Sequence, residues 1–102
     1  MIAGIASLLM ATARLGDLSQ YPDLRQYSDL PRDVRVFIDR RAGCNHFAGE
    51  EAYDRERARE LEKALRDLKC DRLDRDEQSL KRRYVASPRV SKALDETQDV
   101  IW

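Results

Sequence analysis

The sequence predicts an all-α protein, a small bundle of three to four helices stapled by a disulfide. Three observations carry that expectation. Charged residues make up 37% of the 102 positions, and the 19 basic and 19 acidic side chains are interleaved rather than blocked, the pattern of helices whose exposed faces pair charges three or four residues apart. Apolar residues recur at helical spacing between recognisable start and stop signals. Two cysteines, Cys44 and Cys70, bracket the most regular helical stretch.

A chain of this length builds one domain with a modest core. The formal charge is zero, and the balance is local, with six basic and six acidic groups in residues 1–50 and thirteen of each in residues 51–102. No net field steers such a chain to nucleic acid or to anionic lipid.

Residues 1–13 are uncharged, and Ile5, Leu8, Leu9 and Met10 run into Ala11-Thr12-Ala13. The run has the apolar region and small-residue site of a secretory signal, though no basic residue precedes it; the other reading is a buried first helix. It is too short to span a bilayer, which takes about twenty residues. Residues 14–102 are read as the single helical domain. Residues 14–30, with Gly16 and Pro22, form an ordered loop with a helical turn whose Tyr and Leu side chains dock on the core.

Pro31, with Ser28 or Asp29 as cap, opens a helix over 31–42, and Val34, Phe37 and Ile38 mark its buried face. Gly43 stops it. A loop follows through Cys44, His46, Phe47, Glu50 and Tyr53. The next helix starts near Asp54 and runs to about Lys69, with Ala58, Leu61, Leu65 and Leu68 on one face. Asp71 or Asp74 caps a third helix carrying Leu73, Leu80 and Tyr84. Ser87-Pro88 ends it and caps a fourth that carries Val90, Ala93 and Leu94. The predicted core is Val34, Phe37, Ile38, Leu61, Leu65, Leu68, Leu80, Tyr84, Val90 and Leu94. Val100-Ile101-Trp102 either packs on that core or presents a plug to a partner.

Little of this carries catalytic chemistry. His46 and Cys44 stand two residues apart on a loop, a spacing that seldom aligns an imidazole with a thiol. Cys44, His46, Glu50 and Cys70 are acceptable zinc ligands by type but lack the close Cys-x-x-Cys pairs of zinc sites. No glycine-rich phosphate loop and no G-x-S-x-G elbow occurs. Lys81-Arg82-Arg83 is diluted by Asp76 and Glu77, so a solvated helix face is favoured over a nucleic-acid contact.

The cysteines are expected to pair, because small exported domains use disulfides as staples, the alternative being two buried reduced thiols. Cys70 closes a helix of about sixteen residues, so it lies roughly 24 Å from that helix's start. Cys44 must reach this far end, because bonded cysteines need Cα atoms within about 7 Å. Residues 45–53, extended at about 3.3 Å each, then return along the helix with Phe47 packed on it.

The segment Cys44-Asn45-His46-Phe47-Ala48-Gly49-Glu50, followed by Tyr53-Asp54 and Cys70-Asp71, resembles a pattern in small uncharacterised bacterial proteins that carry export signals. The resemblance spans roughly residues 35–85. It implies a bacterial envelope setting, periplasmic or secreted, and no particular activity. The expectation is a non-enzymatic binding or accessory protein of the inhibitor or immunity type. Its partner is another protein, not nucleic acid, and it has no permanent membrane anchor and no cofactor. His46, Phe47, Glu50 and Tyr53 are the candidate contact residues. The alternative function is a small metal-dependent or hydrolytic protein using His46 and Glu50; the alternative setting is cytoplasmic, if residues 1–13 are a core helix.

Overall fold

A computed structural model describes residues 22–102. The apolar run 1–13 and its two readings lie outside the described residues. A 3-10 helix, Pro22–Tyr27, leads into α1, Arg32–Ala48; α2 is Arg55–Asp67; a short 3-10 turn, Cys70–Arg72, leads into α3, Leu73–Arg83; and α4 is Pro88–Glu96. The described chain has no strand, and the fold is the expected disulfide-stapled bundle of four helices.

The local signals at α2 and α4 are used as read. Asp54 is the N-cap of α2, its carboxylate accepting from the Arg57 amide at 2.8 Å. Ser87 caps α4, its hydroxyl accepting from the Val90 amide at 3.3 Å with Pro88 in the first turn. Such caps satisfy amides that have no partner inside the helix. Lys69, left-handed at φ 54°, ends the α2 segment.

Three expectations are corrected. Neither Ser28 nor Asp29 caps α1: Pro31 is itself the cap residue, its carbonyl accepting from Val34 and Arg35 at 3.0 Å, while Asp29 accepts from Arg89 of α4 at 2.9 Å. Neither Asp71 nor Asp74 caps α3, because the preceding 3-10 turn delivers the chain through Arg72 with no side-chain cap. Most consequentially, Gly43 does not stop α1, which continues to Ala48 and ends at Gly49. A glycine inside a helix costs about 1 kcal/mol relative to alanine. What offsets it is close approach, since a Cβ on Gly43 would lie 2.7 Å from the Trp102 ring and 3.0 Å from Leu68 Cδ1.

The core is built from the first 3-10 helix, α1, α3 and α4: Leu24, Tyr27 and Leu30 pack with Val34, Phe37, Ile38, Leu80, Val90, Ala93 and Leu94. Leu24, Tyr27 and Leu30 of the irregular segment therefore dock as expected, while its residues 14–21 lie outside the described residues. In α2 only Leu61 is buried, and it stands outside that cluster. Leu65, Leu68 and Tyr84, expected in the core, are half-buried. For Leu65 and Leu68 the reason is geometric: α2 is laid on one side of a core closed by the other elements, so its apolar stripe is only partly covered; Tyr84, after α3, packs against the core's edge with its hydroxyl donating to Asp33.

At the centre lies a buried charge that composition does not reveal. The Arg41 guanidinium, 3% exposed, donates to Glu77 Oε1 at 3.0 Å, to the Leu94 carbonyl at 2.7 Å, and to the Thr97 carbonyl and hydroxyl at 3.0 and 2.6 Å. Burial pushes its pKa below the usual arginine value, against the opposing pull of Glu77. Two of the acceptors are carbonyls at the α4 C-terminus, where a cation also complements the helix dipole. One side chain thus ties α1, α3 and α4 together.

Candidate functional site

The C-terminal half of α1 carries the candidate site. Its frame is the Cys44–Cys70 disulfide, with Cα atoms 5.7 Å apart. The pairing is as expected, but the path between the cysteines is not an extended loop. Residues 45–48 continue α1 for roughly 6 Å at 1.5 Å each. Residues 49–54 supply up to about 20 Å more when extended, which together suffices to return along α2 to Asp54.

Asn45 lies one residue beyond the disulfide, and its side-chain amide donates to the carbonyls of Gln98 and Val100 at 3.1 and 2.7 Å. This clamp lays residues 98–102 against α1. Trp102 finishes the docking: its indole N–H donates to the Asp39 carbonyl at 2.9 Å and carboxylate at 3.1 Å, its backbone N–H donates to the Ala42 carbonyl at 3.4 Å, and the ring fills the space left by Gly43. The ring still leaves 41% of the residue exposed, and neighbouring Ile101 is 57% exposed.

Phe47 meets Trp102 edge to face at 5.8 Å between ring centroids, and meets His46 in the same way at 4.9 Å. His46 and Trp102 lie 6.2 Å apart. The aromatic partners of Phe47 are thus Trp102, from the far end of the chain, and its neighbour His46. His46 Nε2 faces Glu50 Oε1 at 3.1 Å, and the other Glu50 oxygen accepts from Arg57, which also holds Glu60. The hydrogen bond from Arg57 sets the Glu50 carboxyl below its ordinary pKa, and the same bond raises the Arg57 value.

Comparison with protein-family models, with curated proteins and with solved structures finds no match to this chain. What the site can do rests on its own geometry.

Three of the four candidate residues, His46, Phe47 and Glu50, come together. Tyr53 does not join them and is 82% exposed in the connection before α2. Sequence reasoning missed Asn45, Gly43 and Arg57, and left Trp102 between packing and binding. For Trp102 a signal existed, three bulky apolar residues after a polar stretch; for Asn45 and Gly43 none did, since their role is to receive a segment more than fifty residues away.

Both cysteine sulfurs are committed to the disulfide, so neither is a thiolate ligand or nucleophile beside His46. Among the described residues no three His, Cys, Asp or Glu side chains converge as a metal site. The basic run 81–83 is largely neutralised: Lys81 pairs with Glu77 and Asp95, and Arg83 with Asp33. A groove of about 210 Å³ between α1 and α3 is flanked by charges already paired across it, Arg40 with Asp76 and Arg83 with Asp33. Among the described residues no helix is long and apolar enough to cross a membrane.

Proposed function

We propose that the protein is a non-enzymatic accessory protein of the bacterial cell envelope, periplasmic or secreted, that binds another protein through the surface formed by Trp102, Ile101, Phe47 and His46. One observation carries this reading: a tryptophan and an isoleucine are held out to solvent on a braced platform. The Asn45 clamp, the seat at Gly43 and the disulfide underneath fix the ring in place, so little side-chain freedom is lost on binding. Tryptophan is among the residues most enriched at interface hot spots, and His46, Glu50 and Arg57 supply the polar rim that such centres have. The disulfide supports the compartment, since such crosslinks persist where thiols are not kept reduced.

The test uses tagged protein expressed in its own host and crosslinked in intact cells, with Trp102→Ala and Ile101→Ser chains as parallel baits. A protein enriched by the wild-type bait and lost from both variants is expected. Reconstituted with the purified partner, Trp102→Ala should weaken binding at least tenfold, about 1.4 kcal/mol. Baits that return the same proteins at the same yield would exclude this surface, and cofractionation with cytoplasmic markers would exclude the compartment.

A further inference from the structure

We propose that the disulfide is a thiol-exchange site entered at Cys70, and that its reduction undocks α2 from a core that stays folded. This goes beyond the protein-binding reading and does not rest on it. Two independent features of the structure lead here.

The first is access. A cleft of about 690 Å³ is lined by Ala48, Leu65, Arg66, Lys69, Cys70, Asp71 and Arg72. Cys70 is half-buried on this cleft, whereas Cys44 is 3% exposed. Three cations and one acid line the opening, so an incoming thiolate is drawn toward Cys70. The co-reactant class is a dithiol. Its first thiolate attacks Cys70 Sγ; the Cys44–Cys70 bond breaks, and its electron pair leaves on Cys44 Sγ, which takes a proton. The second thiolate attacks the dithiol's own sulfur in the mixed disulfide, expelling Cys70 Sγ, which is protonated in turn. The dithiol loses two electrons and becomes a disulfide, and the protein gains two thiols.

The second feature is consequence. No residue between 49 and 69 belongs to the core cluster, and α2 buries only Leu61. The core is held without it by Arg41, which reaches Glu77 and the end of α4, and by the Asp33 carboxylate, which accepts from Tyr84 and Arg83. α2 also packs along α1 and buries Leu61, and the disulfide is the covalent tie that holds the Cys70 end of that contact. Leu68 of the α2 segment and Trp102 both rest on Gly43, so releasing one loosens the seat of the other.

The whole oxidised protein is first exposed briefly to mercaptoethanol, quenched in acid and alkylated. Peptide mass mapping should place the adduct on Cys70 and the alkyl group on Cys44; the reverse assignment overturns the entry point. Full reduction with dithiothreitol, followed by amide exchange, should raise exchange across residues 56–67 at least about 100-fold while α1 and α4 change less than about fivefold. The Cys44→Ser/Cys70→Ser double variant should reproduce that pattern. Retained protection in α2, or loss of protection throughout, overturns the proposal. Emission of Trp102, the sole tryptophan, should move to the red on reduction; an unchanged spectrum overturns the coupling to the Gly43 seat.

Discussion

Replacing Arg41 by Met should be among the most damaging single changes in the protein. The side chain makes hydrogen bonds to one carboxylate, one hydroxyl and two carbonyls, all in the interior. Methionine matches the aliphatic stem and still packs on Phe37, over whose ring the guanidinium lies at 5.0 Å. What it cannot do is satisfy the acceptors. Breaking a buried pair by removing one partner costs about 3–5 kcal/mol, because the other charge is left without compensation. Glu77 keeps a hydrogen bond from Gln98 at 3.0 Å and faces Lys81 at 3.4 Å, which places the cost near the lower end, about 3 kcal/mol. Set against a total of about 5–15 kcal/mol for a domain of this size, that is a large fraction. The assay is urea unfolding at pH 7 without reductant, followed by far-UV circular dichroism, with the slope checked for constancy. An Arg41→Met/Glu77→Leu double variant should recover at least half of the loss, since an apolar replacement of the whole pair removes the orphaned charge. A loss below about 1 kcal/mol for the single variant, or a double variant worse than the sum of its singles, would refute the argument that the pair is mutually compensated.

Three further outcomes follow from the same packing. Gly43→Ala should gain up to about 1 kcal/mol of helix propensity and lose more, because its Cβ would meet Trp102 at 2.7 Å; a red shift in Trp102 emission checks the displacement, and an unmoved spectrum would contradict it. Ile38→Ala, at a fully buried site, should cost about 2–5 kcal/mol, whereas Leu65→Ala, half-buried on α2, should cost less than about 1.5 kcal/mol; equal losses in urea unfolding would mean α2 is part of the core. Burial pushes the Asp33 carboxyl up, but hydrogen bonds from Tyr84 and Arg83 outweigh it and set its pKa below the ordinary value. A depressed carboxylate stabilises above its unfolded pKa and loses that contribution as pH falls through the folded one. The advantage of wild type over Asp33→Asn in unfolding titrations should therefore hold at pH 6 and decline below about pH 4; a gap that widens on acidification would give the wrong sign.

The all-α class, the positions of α2 and α4 and most of the core residues were determined locally. Cap residues, proline placement and apolar spacing act within one or two turns, so Asp54, Ser87-Pro88 and the Val34, Phe37, Ile38 face could be read directly. The disulfide was also legible, from two cysteines in a small domain read as exported. Tertiary structure decided what depends on distant partners. Gly43 is a stop signal by propensity alone, yet it lies inside α1 because Trp102 and Leu68 occupy the space where its side chain would be. Arg41 and Glu77 were two charges among thirty-eight, and only the convergence of α1, α3 and α4 made them a buried pair. Asn45, one position after a cysteine, became the clamp of the candidate site because residues 98–102 return to it. Periodicity records which face of a helix is apolar; which faces close over one another, and which ring is left facing solvent, is set by contacts between residues far apart in the chain that no local pattern encodes.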